Sequence, residues 1–227
     1  YYAEGADEII YMDAVATLYE RNSLADLVSY TAEHVFVPIT VGGGVRTLDD
    51  VATLLRNGAD KIAINTAATR RPEFISEVAE NFGSQCMVLS IEAKRRRDGG
   101  WEAYTDNGRE HTHLDAVQWA CRGEELGAGE ILLTSVDQEG TRKGFDVELC
   151  RSVSEAVGIP VIVSGGMGAT SHVVEVVQQG KADAVAFADV LHYKRVTLSE
   201  IRGAAAAADI NVRKFPDSAK NQEAVVN

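Results

Sequence analysis

The phrase Val41-Gly42-Gly43-Gly44-Val45 occurs again, little altered, as Val163-Ser164-Gly165-Gly166-Met167. Each copy follows an apolar run opened by a proline, Pro38-Ile39-Thr40 and Pro160-Val161-Ile162. Each leads into a stretch with helical spacing, Leu48 to Arg56 and His172 to Gln179. Each closes on a second apolar run introduced by Ala-Asp: Ala59-Asp60-Lys61-Ile62-Ala63-Ile64 and Ala182-Asp183-Ala184-Val185-Ala186-Phe187. Gly58 follows Gly43 at the same distance as Gly180 follows Gly165. A strand, glycine loop, helix and strand repeated in this way is the pattern of a parallel sheet built from βαβ modules. Without a Cβ, the backbone at the strand end can turn tightly and lie close to a ligand. Backbone N–H groups there, and at a following helix N-terminus, suit a phosphate. The same glycines also serve a plain tight turn, and a single copy does not separate the two readings.

Outward from this repeat the alternation continues. Glu8 to Asp13 is a strand candidate, and Ser23 to His34 has helical spacing with Ser23 as N-cap. Strands are expected at 38–43, 61–66, 86–91, 130–136, 160–164 and 183–188. Helices are expected at 47–57, 71–82 (with Pro72 in the first turn), 115–126, 147–157, 171–179 and 198–208. Residues 95–113 break the pattern: Asp98-Gly99-Gly100 is a turn signal and Trp101 to Tyr104 alternates like a hairpin strand. Arg95-Arg96-Arg97 reads as a solvated face. Seven strands alternating with helices give an α/β domain. The repeat suggests a (β/α)8 TIM barrel of two similar halves. Such a barrel usually takes about 250 residues and eight strands, so this chain is expected to lack the first strand and most of the first helix. Residues 1–213 would be the single barrel domain and 214–227 a polar tail.

Composition bounds the function. The 227 residues carry a net charge of −12, with 25% charged and 45% apolar residues. That suits one soluble domain and argues against a general role on nucleic acid or a membrane surface. No apolar run reaches membrane-spanning length and no signal peptide is visible, so a cytoplasmic place is expected. Cys86, Cys121 and Cys150 are scattered, with Cys86 expected in the core. The five histidines show no ligand spacing, and His111-x-His113 is expected on an exposed hairpin. Neither a metal nor a cofactor is implied.

In a barrel of this kind, chemistry gathers at the C-terminal strand ends. Those ends are Asp13, Gly42 to Gly44, Asn65-Thr66, Glu92, Thr134 to Asp137, Ser164 to Gly166 and Ala188-Asp189. Asp13, Asp137, Glu139 and Asp189 would be mouth carboxylates, each equally suited to capping the next helix. Glu92 ends the apolar run Met87 to Ile91 and would point into the mouth as a candidate general acid/base.

Gly58-Ala59-Asp60-Lys61, Ile64-Asn65-Thr66-Ala67-Ala68, Phe82-Gly83-Ser84-Gln85, Gly127 to Ser135 and Ser164-Gly165-Gly166 resemble the cyclase (synthase) subunit family of imidazole glycerol phosphate synthase. The likeness runs from about residue 1 to about residue 213. It implies a barrel in a heterodimer with a class I glutamine amidotransferase (glutaminase) subunit. Ammonia made by that partner would pass through the barrel core to a ribonucleotide substrate with two phosphates, in histidine biosynthesis. By position, Gly44, Asn65 and Thr66 would hold one phosphate. Gly140, Gly166 and Ala188, with Ser164 and Gly165 of the same loop, would hold the other. Asp60 and Lys61 would lie at the glutaminase-facing bottom, or form a surface ion pair contributing little.

Three departures stand out. The family uses two aspartates as acid and base; one lies on the first strand, and the other falls at Glu92. The extra methylene moves the carboxylate by about 1.5 Å, a misplacement that can cost on the order of 100-fold in rate. Asp189 stands where the family has a phosphate-binding serine, and its charge would oppose a phosphate. Glu139 replaces an aspartate. Ser90-Ile91-Glu92-Ala93-Lys94 and Tyr19 to Leu24 resemble the paralogous branch associated with amidation of lipopolysaccharide sugars. Two functions are therefore expected as alternatives: a lyase-type synthase subunit acting on a phosphorylated sugar or ribonucleotide, or a cyclisation-impaired ammonia conduit for sugar amidation.

Overall fold

In the computed structural model, residues 1–13 and 24–214 are described. The Ser23 cap, the segment 14–22 and the tail from Phe215 lie outside the described residues. The strands are β1 (Ile9–Met12), β2 (Ile39–Gly42), β3 (Lys61–Ile64), β4 (Met87–Arg95), β5 (Trp101–Thr105), β6 (Glu110–Asp115), β7 (Glu130–Ser135), β8 (Val161–Ser164) and β9 (Ala184–Ala186). The helices are α1 (Leu24–His34), α2 (Leu48–Arg56), α3 (Thr66–Arg70), α4 (Glu73–Phe82), α5 (Ala116–Glu125), α6 (Val147–Ser154), α7 (Thr170–Gly180), α8 (Asp189–His192) and α9 (Leu198–Ala207). Parallel pairing runs in the order β1-β2-β3-β4-β7-β8-β9, with β5 and β6 an antiparallel hairpin on the extension of β4. This is the alternating architecture of a partial (β/α)8 barrel, as the repeat implied.

Local chemistry starts and stops the elements where expected. Thr47 accepts from Asp50 N while the Asp50 carboxylate accepts from Thr47 N, a capping box at α2. Asp115 accepts from Val117 N and Gln118 N to begin α5, and Thr197 with Glu200 begins α9. Three features differ from the sequence reading. Two short helices, α3 and α8, start directly at the ends of β3 and β9, at equivalent positions of the repeat. Cys86 is buried as expected but sits in a 3-10 turn just before β4 rather than in the strand. Arg95 stacks on the Trp101 ring at 4.8 Å and pairs with Glu148, and Arg96 donates to Asp115 at 2.7 Å. Arg95 and Arg97 are exposed, as read, but Arg95 also braces the hairpin against α6 and Arg96 closes its base.

Strand alternation sorts the core into two layers. Ile62, Ile64, Met87, Leu89, Ile91, Ile131 and Leu133 pack under the helices. Ala63, Val88, Leu132 and Ile162, joined by Ile10 and Ala186, face one another inside. Among the described residues no pairing joins β1 to β9. Ion pairs span that side instead: Asp7 meets Arg202 at 2.5 Å and Arg213 at 2.9 Å. The β1 side and the α9 side are thus tied by side chains.

The Ala-Asp pair of the repeat has a definite task. Asp60 Oδ2 accepts from Ile39 N at 2.8 Å, and Asp183 Oδ2 accepts from Val161 N at 2.9 Å. In each half this aspartate latches the start of the preceding strand to the start of its own.

Candidate functional site

A cavity of about 1800 Å³ is lined from the strand starts to the strand ends and extends to the side between β1 and β9, where Asp7, Leu198, Arg202 and Arg213 also line it. Its upper wall is made by Asp13, Gly44, Asn65, Thr66, Glu92, Glu139, Gly140, Ser164, Gly165, Gly166, Ala188 and Asp189. Alternation explains why. Residues Ala63 and Asn65, Ser90 and Glu92, Leu132 and Thr134, Ile162 and Ser164, and Ala186 and Ala188 continue the inward face of their strands to the top. Asp137 does not line this cavity. Its Oδ2 accepts from Arg95 N at 2.8 Å, tying the end of β7 to the extension of β4. The expected mouth carboxylate is therefore a tie between strands.

Glu92 is half-buried at the mouth, and its Oε2 accepts from Gly108 N at 2.8 Å. Burial pushes its carboxyl above the ordinary range; the Gly108 N–H opposes this, and the nearby Asp106 charge adds to it. A carboxyl that holds its proton longer is suited to donating one. The partners Asp106 and Gly108 were not anticipated. They belong to Asp106-Asn107-Gly108, the tip of the β5–β6 hairpin, whose three residues all have positive φ. Asp-Asn-Gly was the available signal, but nothing in the sequence says that the tip folds over Glu92. Asp106 Oδ1 is buried without a hydrogen-bond partner among the described residues. Lys94 Nζ donates to Gly108 O and lies 4.7 Å from the Tyr104 ring centre, holding the tip down. Asn65 Nδ2 donates to Tyr104 O at 3.1 Å, so its side chain anchors the same hairpin.

The two glycine loops share one packing device. A Cβ on Gly43 would stand 2.3 Å from Asp13 O, and one on Gly165 would stand 2.6 Å from Ser135 O. Both residues have positive φ. In each half the loop after one strand is pressed by the loop after its neighbour, so at these positions the glycines are required by the protein's own backbone. Gly140 is different: a Cβ there would meet nothing within 4 Å. It borders open space at the mouth. Asp189 lies 3.5 Å from Arg195 Nε, so its charge is partly balanced where the sequence suggested plain repulsion toward a phosphate.

At the other end Lys61 Nζ donates to Glu130 Oε1 at 2.6 Å and to Glu8 Oε2 at 3.0 Å. Lys61 shares the inward parity of Ala63, and Glu130 that of Leu132. The Lys61 and Glu130 side chains are only 15% and 19% exposed. This is a half-buried cluster across the barrel floor, not a surface pair with Asp60. Burial works to lower the Lys61 pKa, but the bonds to Glu130 and Glu8 outweigh it and leave it above its ordinary value.

The histidines also depart from expectation. His111 and His113 are exposed on the hairpin, as read, but both converge on Glu102.

Residues 1–197 match the family model described as histidine biosynthesis protein. The chain belongs to that family. It is 68% identical over 168 residues to "Imidazole glycerol phosphate synthase subunit HisF" of Legionella pneumophila, covering 74% of this chain and 79% of the relative. A subunit of the same name from Mycobacteroides abscessus is 52% identical over 219 residues, covering 94% of this chain and 85% of the relative. Both names favour the histidine reading over the sugar-amidation branch. No helix among the described residues is long and apolar enough to cross a membrane.

Proposed function

We propose that this protein is the cyclase (synthase) subunit of an imidazole glycerol phosphate synthase. It receives ammonia from a glutaminase subunit and joins it to a phosphorylated ribonucleotide at the barrel mouth. The single observation that carries this reading is Glu92. It is an inward-facing carboxyl with a raised pKa, set between the two glycine loops at the C-terminal strand ends. In this reading the Gly44, Asn65 and Thr66 side of the mouth takes one phosphate, and Gly140, Ser164 to Gly166 and Ala188 take the other. Asn65 serves through its backbone, since its amide is engaged with Tyr104. Protonated Glu92 donates a proton to the group that leaves on ring closure, and the ionised form takes one back. The hairpin tip over Glu92 keeps water from it. Ammonia enters past the Lys61 cluster and moves along the inner layer of Ala63, Val88, Leu132 and Ile162. Residues 1–213 act as one barrel domain, with 214–227 as a polar tail. No cofactor is needed for this step.

The test is ammonia-dependent turnover of the family's ribonucleotide substrate by wild type, Glu92→Asp and Glu92→Gln. Turnover is expected in wild type and a fall of about 100-fold or more in Glu92→Gln. Turnover unchanged in Glu92→Gln would remove Glu92 from the chemistry. No turnover in wild type, with glutaminase binding intact, would overturn the synthase reading.

A further inference from the structure

We propose that the outer face of the β5–β6 hairpin binds a divalent transition-metal ion of the zinc, cobalt or nickel class through Glu102, His111 and His113. One ligand atom from each residue lies within 4.8 Å of the others. Glu102 Oε1 is 3.2 Å from His111 Nδ1 and 3.6 Å from His113 Nδ1. Around a tetrahedral zinc with bonds of about 2.0–2.2 Å, neighbouring ligand atoms stand about 3.3 Å apart. Two of the three separations are already close to that value. His113 is 86% exposed, so its ring can turn to close the third. Two imidazoles and one carboxylate suit a borderline-soft ion and leave a position open to water.

The hairpin is built to bring these groups together. In a regular strand His111 and His113 would follow one another along one face. Here the register shifts between Glu102 and Tyr104, so that Glu102 pairs with Asp115 while Tyr104 pairs with His111. The extra residues form a bulge, and bulges re-aim side chains. His113 takes φ +62 within it, a left-handed conformation uncommon for a residue other than glycine. Its N–H donates to Glu102 Oε1 at 2.8 Å, which fixes the carboxylate in the bulge. The result is two histidine rings stacked at 5.8 Å beside one carboxylate that is only 12% exposed.

A further contact orients the first histidine. His111 Nε2 lies 3.2 Å from the Tyr104 hydroxyl. That hydroxyl can donate to Nε2 while Nδ1–H bonds Glu102, or accept from Nε2–H while Nδ1 ligates an ion. The hairpin therefore accommodates both the free and the loaded state without moving Tyr104. The grouping is separate from the cavity, which Glu102, His111 and His113 do not line.

The experiment is Zn²⁺ titration of the full, tag-free chain by calorimetry, with Co²⁺ absorption reporting coordination number. Wild type is expected to take one Zn²⁺ at micromolar concentration, and in its NMR spectrum the ring signals of His111 and His113 should move together. His113→Asn keeps a residue that tolerates the left-handed backbone, and Glu102→Gln keeps the carboxylate's shape. Each is expected to weaken binding tenfold or more. Cys121→Ser, His34→Ala and His192→Ala are expected to leave it within twofold. Cys86 and Cys150 are buried, and burial pushes the Cys150 thiol up to about 11, so neither competes for the ion. No binding by wild type below millimolar Zn²⁺ would overturn the proposal. So would wild-type affinity in both His113→Asn and Glu102→Gln, or shifts confined to histidines other than 111 and 113.

Discussion

Burial raises the Glu92 carboxyl above its ordinary range, so the folded chain holds this proton more tightly than the unfolded one. The native state then binds more protons, and stability falls as pH rises from the unfolded pKa through the folded one. Below that window the group costs nothing; above it a partly desolvated charge is retained. Glu92→Gln removes the charge and keeps an oxygen for the Gly108 N–H. Its melting temperature is expected to exceed wild type at pH 8 and to match it near pH 4. For a chain of this size each kcal/mol relieved is worth about 2–4 °C. Thermal scans across pH check this, and an advantage that grows toward low pH would contradict the burial argument. Asp106 contributes to the same shift through its charge. Asp106→Asn should therefore move any limb of the pH–rate profile owed to Glu92 toward lower pH. Glu92 was read from the sequence as the candidate acid/base, whereas the part played by Asp106 was not. The apolar run before Glu92 announced its inward aim, but Asp106 reaches it only because a nine-residue strand, β4, continues past the barrel rim into the hairpin.

The βαβ unit was the most legible level, because its signals are local and occur twice. Prolines, paired glycines and Ala-Asp fell at the same places in both copies, and all the parallel strands followed. What the copies did not disclose was the direction of each polar side chain. Asp60 read as a partner contact, yet it and Asp183 perform the same latch on Ile39 N and Val161 N. The same bond in both halves gives each aspartate a structural duty that the sequence did not disclose. Conversely Lys61 read as a surface group, although its parity with Ala63 and Asn65 placed it inside. The latch has a measurable consequence. Ile39 and Val161 are buried, so removing either carboxylate leaves a backbone N–H without its partner, which costs about 1–3 kcal/mol. Asp60→Ala and Asp183→Ala should each lower the urea-unfolding free energy by that amount. A loss at one position alone would break the equivalence of the two halves. For the same reason charge reversal at Asp60 is a poor probe of the partner interface, because it would damage strand β2 as well.

At the scale of the whole molecule the cavity has two ends of different character. Its mouth is walled by glycines, Asn65, Thr134, Ser164 and the raised carboxyl of Glu92; its floor is crossed by Lys61, Glu8 and Glu130. Between them the inner layer of Ala63, Val88, Leu132 and Ile162 offers a neutral molecule no charged group to bind. An ion pair cluster at this end can tie the strand starts together while remaining breakable, since Glu8 is 41% exposed and can exchange its bond for water. Lys61→Met tests this. It leaves two carboxylates facing each other without a cation. The stability cost should fall between the about 0–1 kcal/mol of an exposed pair and the about 3–5 kcal/mol of a broken buried one. Adding Glu130→Gln should recover part of it by removing one of those charges. If ammonia crosses the floor, glutamine-dependent turnover with the glutaminase should fall in Lys61→Met. Turnover supplied with external ammonia at the open mouth should stay near wild type. Equal losses in both assays would mean that the cluster acts only through folding. Equal activity in both would mean that ammonia reaches Glu92 by another way, and the side between β1 and β9, where Asp7 meets Arg202 and Arg213, would then be the route to examine.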